Sequence, residues 1–164
     1  GPYARVRVDV GQTGFFAGRE FMCFHEYSIP AGQSIAIRAI SLVDVYLQQF
    51  GIDGWAGEVR LELRVGCTET SSFTIDIPVT RTNMTTGPDY SYTTQVNMDN
   101  GGTVTGGTMM DVMKVNSGNK NTAVGSSNEN PIGMPPGTYY MVLINAGNST
   151  CSGVFKARWE ERPG

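Results

Sequence analysis

The segment Glu58–Val65, with the sequence EVRLELRV, alternates charged and apolar residues without a break. Because successive side chains of a β-strand point to opposite faces of its sheet, this segment predicts a strand with one apolar and one charged face. Strands of this kind are typical of antiparallel sheets, since strands of parallel sheets are covered on both faces and are apolar throughout. The segment therefore predicts an antiparallel sheet that packs one face against a core.

The same two-residue period continues along the chain. Val6–Val10 and Phe73–Val79 repeat it, so we predict strands in both places. Ser34–Leu47 predicts one long strand or two strands with a break; a helix over Ile40–Phe50 is the alternative, which the Val and Ile content disfavours. Further strands are predicted at Glu20–Ile29, Tyr92–Met98, Met109–Val115, Thr138–Asn145 and Val154–Glu160. A total of about eight or nine strands predicts an all-β fold, an antiparallel β-sandwich of jelly-roll type.

The segments between these strands are rich in turn-forming residues. Ile29–Gln33 contains Pro and Gly and predicts a turn, and Ala146–Ser149 predicts a hairpin between the last two strands. Asn116–Gly137 is a long polar stretch of Gly, Asn, Ser and Pro. Loops longer than about 12–15 residues in a compact domain are as a rule functional or disordered. We therefore expect this stretch to be either a functional loop or a disordered segment.

Length and composition limit the classes of protein that fit. A chain of 164 residues predicts a single domain over residues 3–164, and Gly1-Pro2 is typical of the scar left by an engineered protease site. Charged residues are only 16% of the chain, its net charge is −3, and no basic stripe is present, so we expect no nucleic-acid partner. No apolar run approaches the about 18 residues of a membrane span, so we expect no membrane partner.

The residues that could support catalysis are few and scattered. Three cysteines cannot all pair within one chain, which favours buried thiols made in a reducing cytoplasm. Cys23 and His25, the one histidine, share a strand face, but Glu26 lies on the opposite face and cannot orient the imidazole; we expect a packed strand there. Asp99–Gly102 has oxygen ligands for calcium but is also an ordinary turn. We therefore expect no enzyme, no cofactor and no metal site.

Three aromatic residues are candidates for binding a partner. Trp55 lies among the glycines of Gly51–Gly57, where we expect an outward-reaching loop, and Tyr90 and Tyr92 follow a Gly-Pro turn. Aromatic rings on loops can stack on sugar rings or anchor a protein interface. The alternative for Trp55 is that it folds back over the open end of the sandwich.

Some strands carry apolar residues on both faces, which one sandwich cannot cover. They are Phe21–Tyr27, Leu42–Leu47 and Tyr139–Ile144. Apolar surface that remains after a single core is filled is typical of an interface. We therefore expect a second copy of the chain or another protein to cover these strands.

Several phrases of the sequence together resemble small virion structural proteins of tailed bacteriophages, over most of the chain from Gly11 to Pro163. They are Ala17–Phe21, Ile29–Gln33, Gly106–Thr108, Pro136–Tyr140 and Trp159–Pro163. The resemblance implies a capsid decoration (cement) protein: a jelly-roll or immunoglobulin-like module, commonly a homotrimer, that is made in the bacterial cytoplasm. Such a protein sits on the outside of the virion and clamps neighbouring major capsid subunits. The alternative is a carbohydrate- or receptor-binding module of a phage fibre or accessory domain.

Overall fold

The computed structural model describes residues 13–85, 90–99, 104–116, 122–125 and 131–163. In these residues two antiparallel sheets pack face to face, which confirms the predicted all-β sandwich. The predicted strand at Val6–Val10 and the scar Gly1-Pro2 lie outside the described residues. Within the described part of the chain, no helix has the length and apolar character to cross a membrane.

Counted over the described residues, each sheet has six strands. Sheet A consists of β1 (Glu20–Ile29), β3 (Asp44–Ala56), β7 (Thr80–Arg81), β11 (Thr122–Gly125), β12 (Ile132–Met134) and β14 (Cys151–Arg162). Sheet B consists of β2 (Ser34–Ser41), β4 (Glu58–Val65), β6 (Ile75–Asp76), β8 (Gln95–Met98), β10 (Thr108–Asn116) and β13 (Gly137–Ile144). The remaining elements are the helix α1 (Thr13–Phe16) and a two-stranded ribbon of β5 (Thr68–Glu69) and β9 (Val104–Thr105).

The order of strands shows how the chain alternates between the sheets. Sheet A has the order β11–β3–β14–β1–β7, with β12 also paired to β3, and sheet B has the order β10–β4–β13–β2–β8–β6. The strands β1, β2, β3 and β4 therefore alternate between the sheets, and the chain crosses again between β13 and β14, instead of forming hairpins at these connections. This order is compatible with a jelly roll, which stays a prediction.

The core lies between the sheets and follows from the alternation seen in the sequence. In β4, Leu61 and Leu63 face inward with no exposed surface, as predicted. Phe21, Phe50 and Phe155 meet them from sheet A, each at most 1% exposed. Burial of one such side chain contributes about 1.5–3 kcal/mol, so this interdigitated layer is the main source of stability.

The charged face of β4 is also as predicted. Arg60 Nε and Arg64 Nε each donate a hydrogen bond to a Glu62 carboxylate oxygen at 2.8 Å. Burial of Glu62 acts to raise its pKa, but the hydrogen bonds and charges of the two arginines outweigh it and hold the pKa below its usual value. The ladder of side chains on this face is thus an ion-paired surface.

The predicted terminal hairpin is wrong, because β13 belongs to sheet B and β14 to sheet A. The connection is a crossing between the sheets that the buried Asn145 ties down. Its amide nitrogen donates to the carbonyl oxygens of Ile29 and Ser149, each at 2.8 Å, and its Oδ1 accepts from the backbone of Gly147 at 2.9 Å. The turn is therefore attached to the end of β1.

The predicted strand Phe73–Val79 is also wrong in extent, since only Ile75–Asp76 pairs with β8. Phe73 and Ile77 are buried, but Ile75 between them is 39% exposed. Phe73 packs on the outside of sheet B, whereas Ile77 belongs to the main core. The segment with this alternation is therefore not one continuous strand. It passes from the outside of sheet B into the core between the two sheets.

Other predicted segments divide in the structure. Ser34–Leu47 is two strands, β2 and β3, with a break at 42–43, and no helix forms over Ile40–Phe50. The long polar stretch Asn116–Gly137 is not one loop, because β11 and β12 lie within it and both pair with the edge of β3. Its residues 117–121 and 126–130 lie outside the described residues.

Candidate functional site

The strongest nucleophile–base pair in the sequence lies in a packed strand. Cys23 is 4% exposed, and its burial raises the pKa of its thiol to about 12, so the thiol stays protonated at neutral pH. Burial lowers the pKa of His25, because it disfavours the charged imidazolium. The negative charge of Glu26 acts in the opposite direction but does not outweigh the burial. Among the described residues, no group of three or more His, Cys, Asp or Glu side chains could hold a metal ion.

The described part of the candidate calcium turn, Asp99, has a structural role. Asp99 is 2% exposed, and its Oδ1 accepts a hydrogen bond from the backbone of Ala36 at 2.9 Å. This carboxylate therefore joins the end of β8 to β2. The rest of the predicted turn, 100–102, lies outside the described residues.

Tyr90 is held within the protein rather than presented to a partner. Its hydroxyl donates to Oε1 of Glu161 at 3.2 Å, and its ring lies 6.1 Å from that of Phe21. The guanidinium of Arg19 lies 5.7 Å from the centre of the Tyr90 ring. Burial raises the pKa of Tyr90 to about 12, with the charge of Glu161 adding to the effect.

Glu161 organises this region, and sequence reasoning did not single it out. Its side chain is fully buried, with 0% exposed. The hydroxyl and backbone nitrogen of Thr93 donate to Oε1 at 2.6 and 2.8 Å, and Trp159 Nε1 donates to Oε2 at 3.2 Å. A buried carboxylate is stabilised only when its oxygens are satisfied in this way, so Glu161 fixes the chain around Thr93 to β14.

Tyr92, in contrast, is available to a ligand. It is 47% exposed, while one contact of its ring is an edge-on packing against Phe21 at 5.8 Å. It lines a surface groove of about 370 Å³, which we call the Tyr92 groove. The other lining residues come from β6 and β8 and the segment that follows β6: Asp76, Ile77, Pro78, Val79, Gln95, Val96 and Asn97.

Trp55 lies within β3 and not in a loop, and it is 44% exposed. A Cβ atom on the preceding Gly54 would point at the core side chains of Val115 and Tyr27, at 3.2 and 3.5 Å. Trp55 is the extra residue of a β-bulge opposite Ser152 and Gly153, and its exposure places it on the outer side of sheet A, away from the core that Gly54 faces. The fold therefore neither extends it on a loop nor folds it over the end of the sandwich.

The outer face of sheet A also carries apolar residues at its other end. Phe24 is 64% exposed and Met22 is 38% exposed, two residues apart on β1. In register, Met22 lies opposite Arg158 and Phe24 opposite Lys156 on β14. These four side chains and Gln49 of β3 border a shallow groove of about 240 Å³, and we call this surface the Phe24 face.

Charge on the Phe24 face is partly compensated. Arg158 Nε forms an ion pair with the buried carboxylate of Glu20 at 2.5 Å, whereas Lys156 is exposed. Lys156 lies opposite Gly51 of β3. Trp55 is four positions further along β3 than Gly51, which corresponds to about 13 Å along the strand. The outer side of sheet A thus offers an apolar centre, a basic border and a separate tryptophan.

On the outer face of sheet B, apolar residues of β13 are covered by other parts of the chain. Tyr140 and Val142 of β13 are 5% and 4% exposed, because Phe73 and Val104 pack over them. This corrects the expectation that Tyr139–Ile144 needs another copy of the chain to cover it. Leu42 of the second such segment remains 75% exposed.

Polar contacts hold the cover in place. The hydroxyl of Tyr140 donates to Glu69 Oε2 at 2.7 Å, and Arg38 Nη1 donates to Glu69 Oε1 at 3.0 Å. The Arg38 guanidinium also lies 4.9 Å from the centre of the Phe73 ring. Burial acts to raise the pKa of Glu69, but the two hydrogen bonds and the arginine charge together lower it.

The structure does not bring the three predicted aromatic residues together. Tyr90 and Tyr92 both pack on Phe21, which pairs with Trp159, whereas Trp55 lies beside Gly153 at the other end of β14. Comparisons with protein-family models, curated proteins and solved structures found no match. The chain is thus an all-β sandwich with two separate candidate binding surfaces.

Proposed function

We propose that this protein is a structural component of a bacteriophage virion, a capsid decoration protein that binds major capsid subunits through the Phe24 face. The resemblance of its sequence phrases to small phage virion proteins supports the class. The observation that carries the docking surface is the 64% exposure of Phe24 beside Met22 on a regular strand. Outer strand faces that contact only water carry polar residues, so this apolar pair favours a protein partner.

The character of the surface agrees with an interface between proteins. An interface is most stable where a few large apolar or aromatic side chains are enclosed by polar ones. Phe24 and Met22 supply the apolar centre, and Lys156, Arg158 and Gln49 supply the border. Lys156 favours a partner surface with a carboxylate at its rim, whereas the charge of Arg158 is already compensated by Glu20.

Binding to capsids tests the proposal most simply. Capsids that lack this protein would be mixed with the purified chain and sedimented, and the bound fraction measured. We expect Phe24→Asp to weaken binding by at least about tenfold, since a charge would be buried in the interface. Phe24→Thr, which keeps a strand-forming residue, should weaken binding less strongly.

Phe16 offers a matched control, because it is the same residue type with the same exposure of 64%. Phe16→Asp should bind capsids as the unchanged protein does. Equal binding by the Phe24 and Phe16 variants would show that the Phe24 face is not the docking surface. No binding by the unchanged protein would refute the decoration function itself.

Self-association is a separate part of the proposal. We expect a homotrimer, as the resemblance implies, and light scattering over the micromolar range measures it. A strictly monomeric protein over that range would contradict the homotrimer. Capsids that lack the protein should also disrupt at a lower temperature than complete ones.

A further inference from the structure

We propose that the Tyr92 groove binds a neutral saccharide. It is a second activity beside capsid binding, since none of the residues that line this groove belongs to the Phe24 face. The two proposals can therefore fail independently. The inference depends on how the groove forms, on the chemistry of its lining and on its size.

The groove forms where the chain crosses from sheet B to sheet A. The backbone nitrogen of Ile77 donates to the carbonyl oxygen of Val96 at 2.9 Å, which continues the pairing of β6 with β8 by one residue. The pairing ends there, and the chain reaches β7, which pairs with β1 in the other sheet. The opening thus lies where the segment 78–79 leaves sheet B for sheet A.

The lining combines an aromatic ring with planar polar groups. Tyr92 presents its ring at the groove, and Phe21, which is 1% exposed, supports the ring from the protein side. Asn97 donates a hydrogen bond from its amide to the Asp76 carboxylate, so these two side chains are ordered by each other. Gln95 adds an exposed amide.

These groups match a sugar better than other small ligands. A pyranose has an apolar face of C–H groups that can stack on an aromatic ring, and hydroxyls around its edge that both donate and accept. Carboxamides and carboxylates supply the complementary acceptors and donors in one plane. Among the described residues that line the groove, Asp76 is the only charged one, which disfavours anionic ligands such as phosphate.

The size is also suitable. A volume of about 370 Å³ lies within the range of about 300–1,000 Å³ that is typical of small-ligand sites. The apolar cavity inside the sandwich, bordered by Cys23 and Met141 among others, is only about 30 Å³. That cavity has about the volume of one water molecule in the liquid and cannot hold a sugar.

A nuclear magnetic resonance titration of the intact chain tests the proposal. The probes are glucose, galactose, mannose and N-acetylglucosamine, with inorganic phosphate as the anionic comparison. We expect at least one sugar to shift the amide signals of residues 76, 77, 79 and 95–97 with a Kd of about 1 mM or tighter. Phosphate should not shift them.

Variants then assign the binding to the groove. Tyr92→Ala should weaken sugar binding by about tenfold or more, and Tyr92→Phe should leave it within about threefold. Trp55→Ala is the matched control, since Trp55 has similar exposure and lies outside the groove. If Tyr92→Ala fails to fold, Gln95→Ala, at an exposed position, replaces it and should weaken binding several-fold.

Three results would overturn the saccharide site. They are the absence of amide shifts at 76, 77, 79 and 95–97 with every sugar, equal shifts with phosphate, and binding that Trp55→Ala abolishes while Tyr92→Ala leaves it unchanged. The last result would place a sugar site on the outer face of sheet A instead.

Discussion

The outer faces of β13 in sheet B and of β1 in sheet A differ in how their apolar residues are covered. On sheet B, Tyr140 and Val142 are buried beneath Phe73 and Val104, which the chain itself supplies. On sheet A, Phe24 and Met22 are uncovered within the described part of the chain, at 64% and 38% exposed. Since both faces carry apolar side chains on regular strands, the difference is in the cover and not in the strands.

In this fold, residues of the same chain can therefore cover apolar side chains on the outside of a sheet. The cover on sheet B requires only the ribbon β5–β9 and Phe73, held through Glu69. A face that remains open in the same molecule is therefore the first place to look for a partner. The predictions below test whether the two faces differ as described.

The largest expected effect comes from removing the cover of sheet B. Phe73→Ala should lower the free energy of unfolding by about 3 kcal/mol, because a large buried ring is lost from its cluster. Phe24→Ala should change it by less than about 0.5 kcal/mol, because the ring is exposed. Urea denaturation of both variants measures the difference. Equal losses would show that the two faces are alike.

The next effect concerns the hydrogen bond that holds the cover. Tyr140→Phe removes the donor to Glu69 and should cost about 1 kcal/mol. In a double-mutant cycle with Glu69→Ala, which removes the acceptor, we expect the two losses to be non-additive, since both substitutions remove the same contact. Strict additivity would mean that the hydrogen bond contributes nothing to stability.

A smaller effect should appear in the pH dependence of stability. The pKa of Glu69 and that of Glu62 are lower in the folded protein than the usual value of 4.5. The folded state therefore favours both charged forms, so this stabilisation is present above pH 4.5 and is lost as the pH falls through the folded values. The melting temperature should decrease with acid, and less so in Glu69→Gln. An identical acid response of the variant would rule out a contribution from Glu69.

The fold could be predicted from sequence where alternation is regular. Glu58–Val65 identified β4, its inward face and the antiparallel sheet before any contact was known. The partner of a strand could not be predicted in the same way. Ala146–Ser149 has the composition of a hairpin turn, but Asn145 anchors it to Ile29, which is distant in sequence, and turns it into a crossing.

The candidate surfaces were only partly predictable. Tyr92 could be chosen as an exposed aromatic near a turn, but so could Tyr90, whose hydroxyl is engaged by Glu161 from the far end of the chain. No local pattern reveals that contact. Phe24 was detectable as one of the apolar residues on the second face of β1, and only the structure shows that it is uncovered within the described part of the chain.

Methionine oxidation compares the open face with the rest of the surface in one experiment. Met22 on sheet A and Met109 and Met110 on sheet B have similar exposure, at 38%, 42% and 41%, so all three should react with peroxide in the free protein. The rates would be measured by mass spectrometry for the free chain and for the chain bound to capsids. Binding through the Phe24 face should protect Met22 and leave Met109 and Met110 reactive. Protection of Met109 and Met110 with Met22 still reactive would contradict the account.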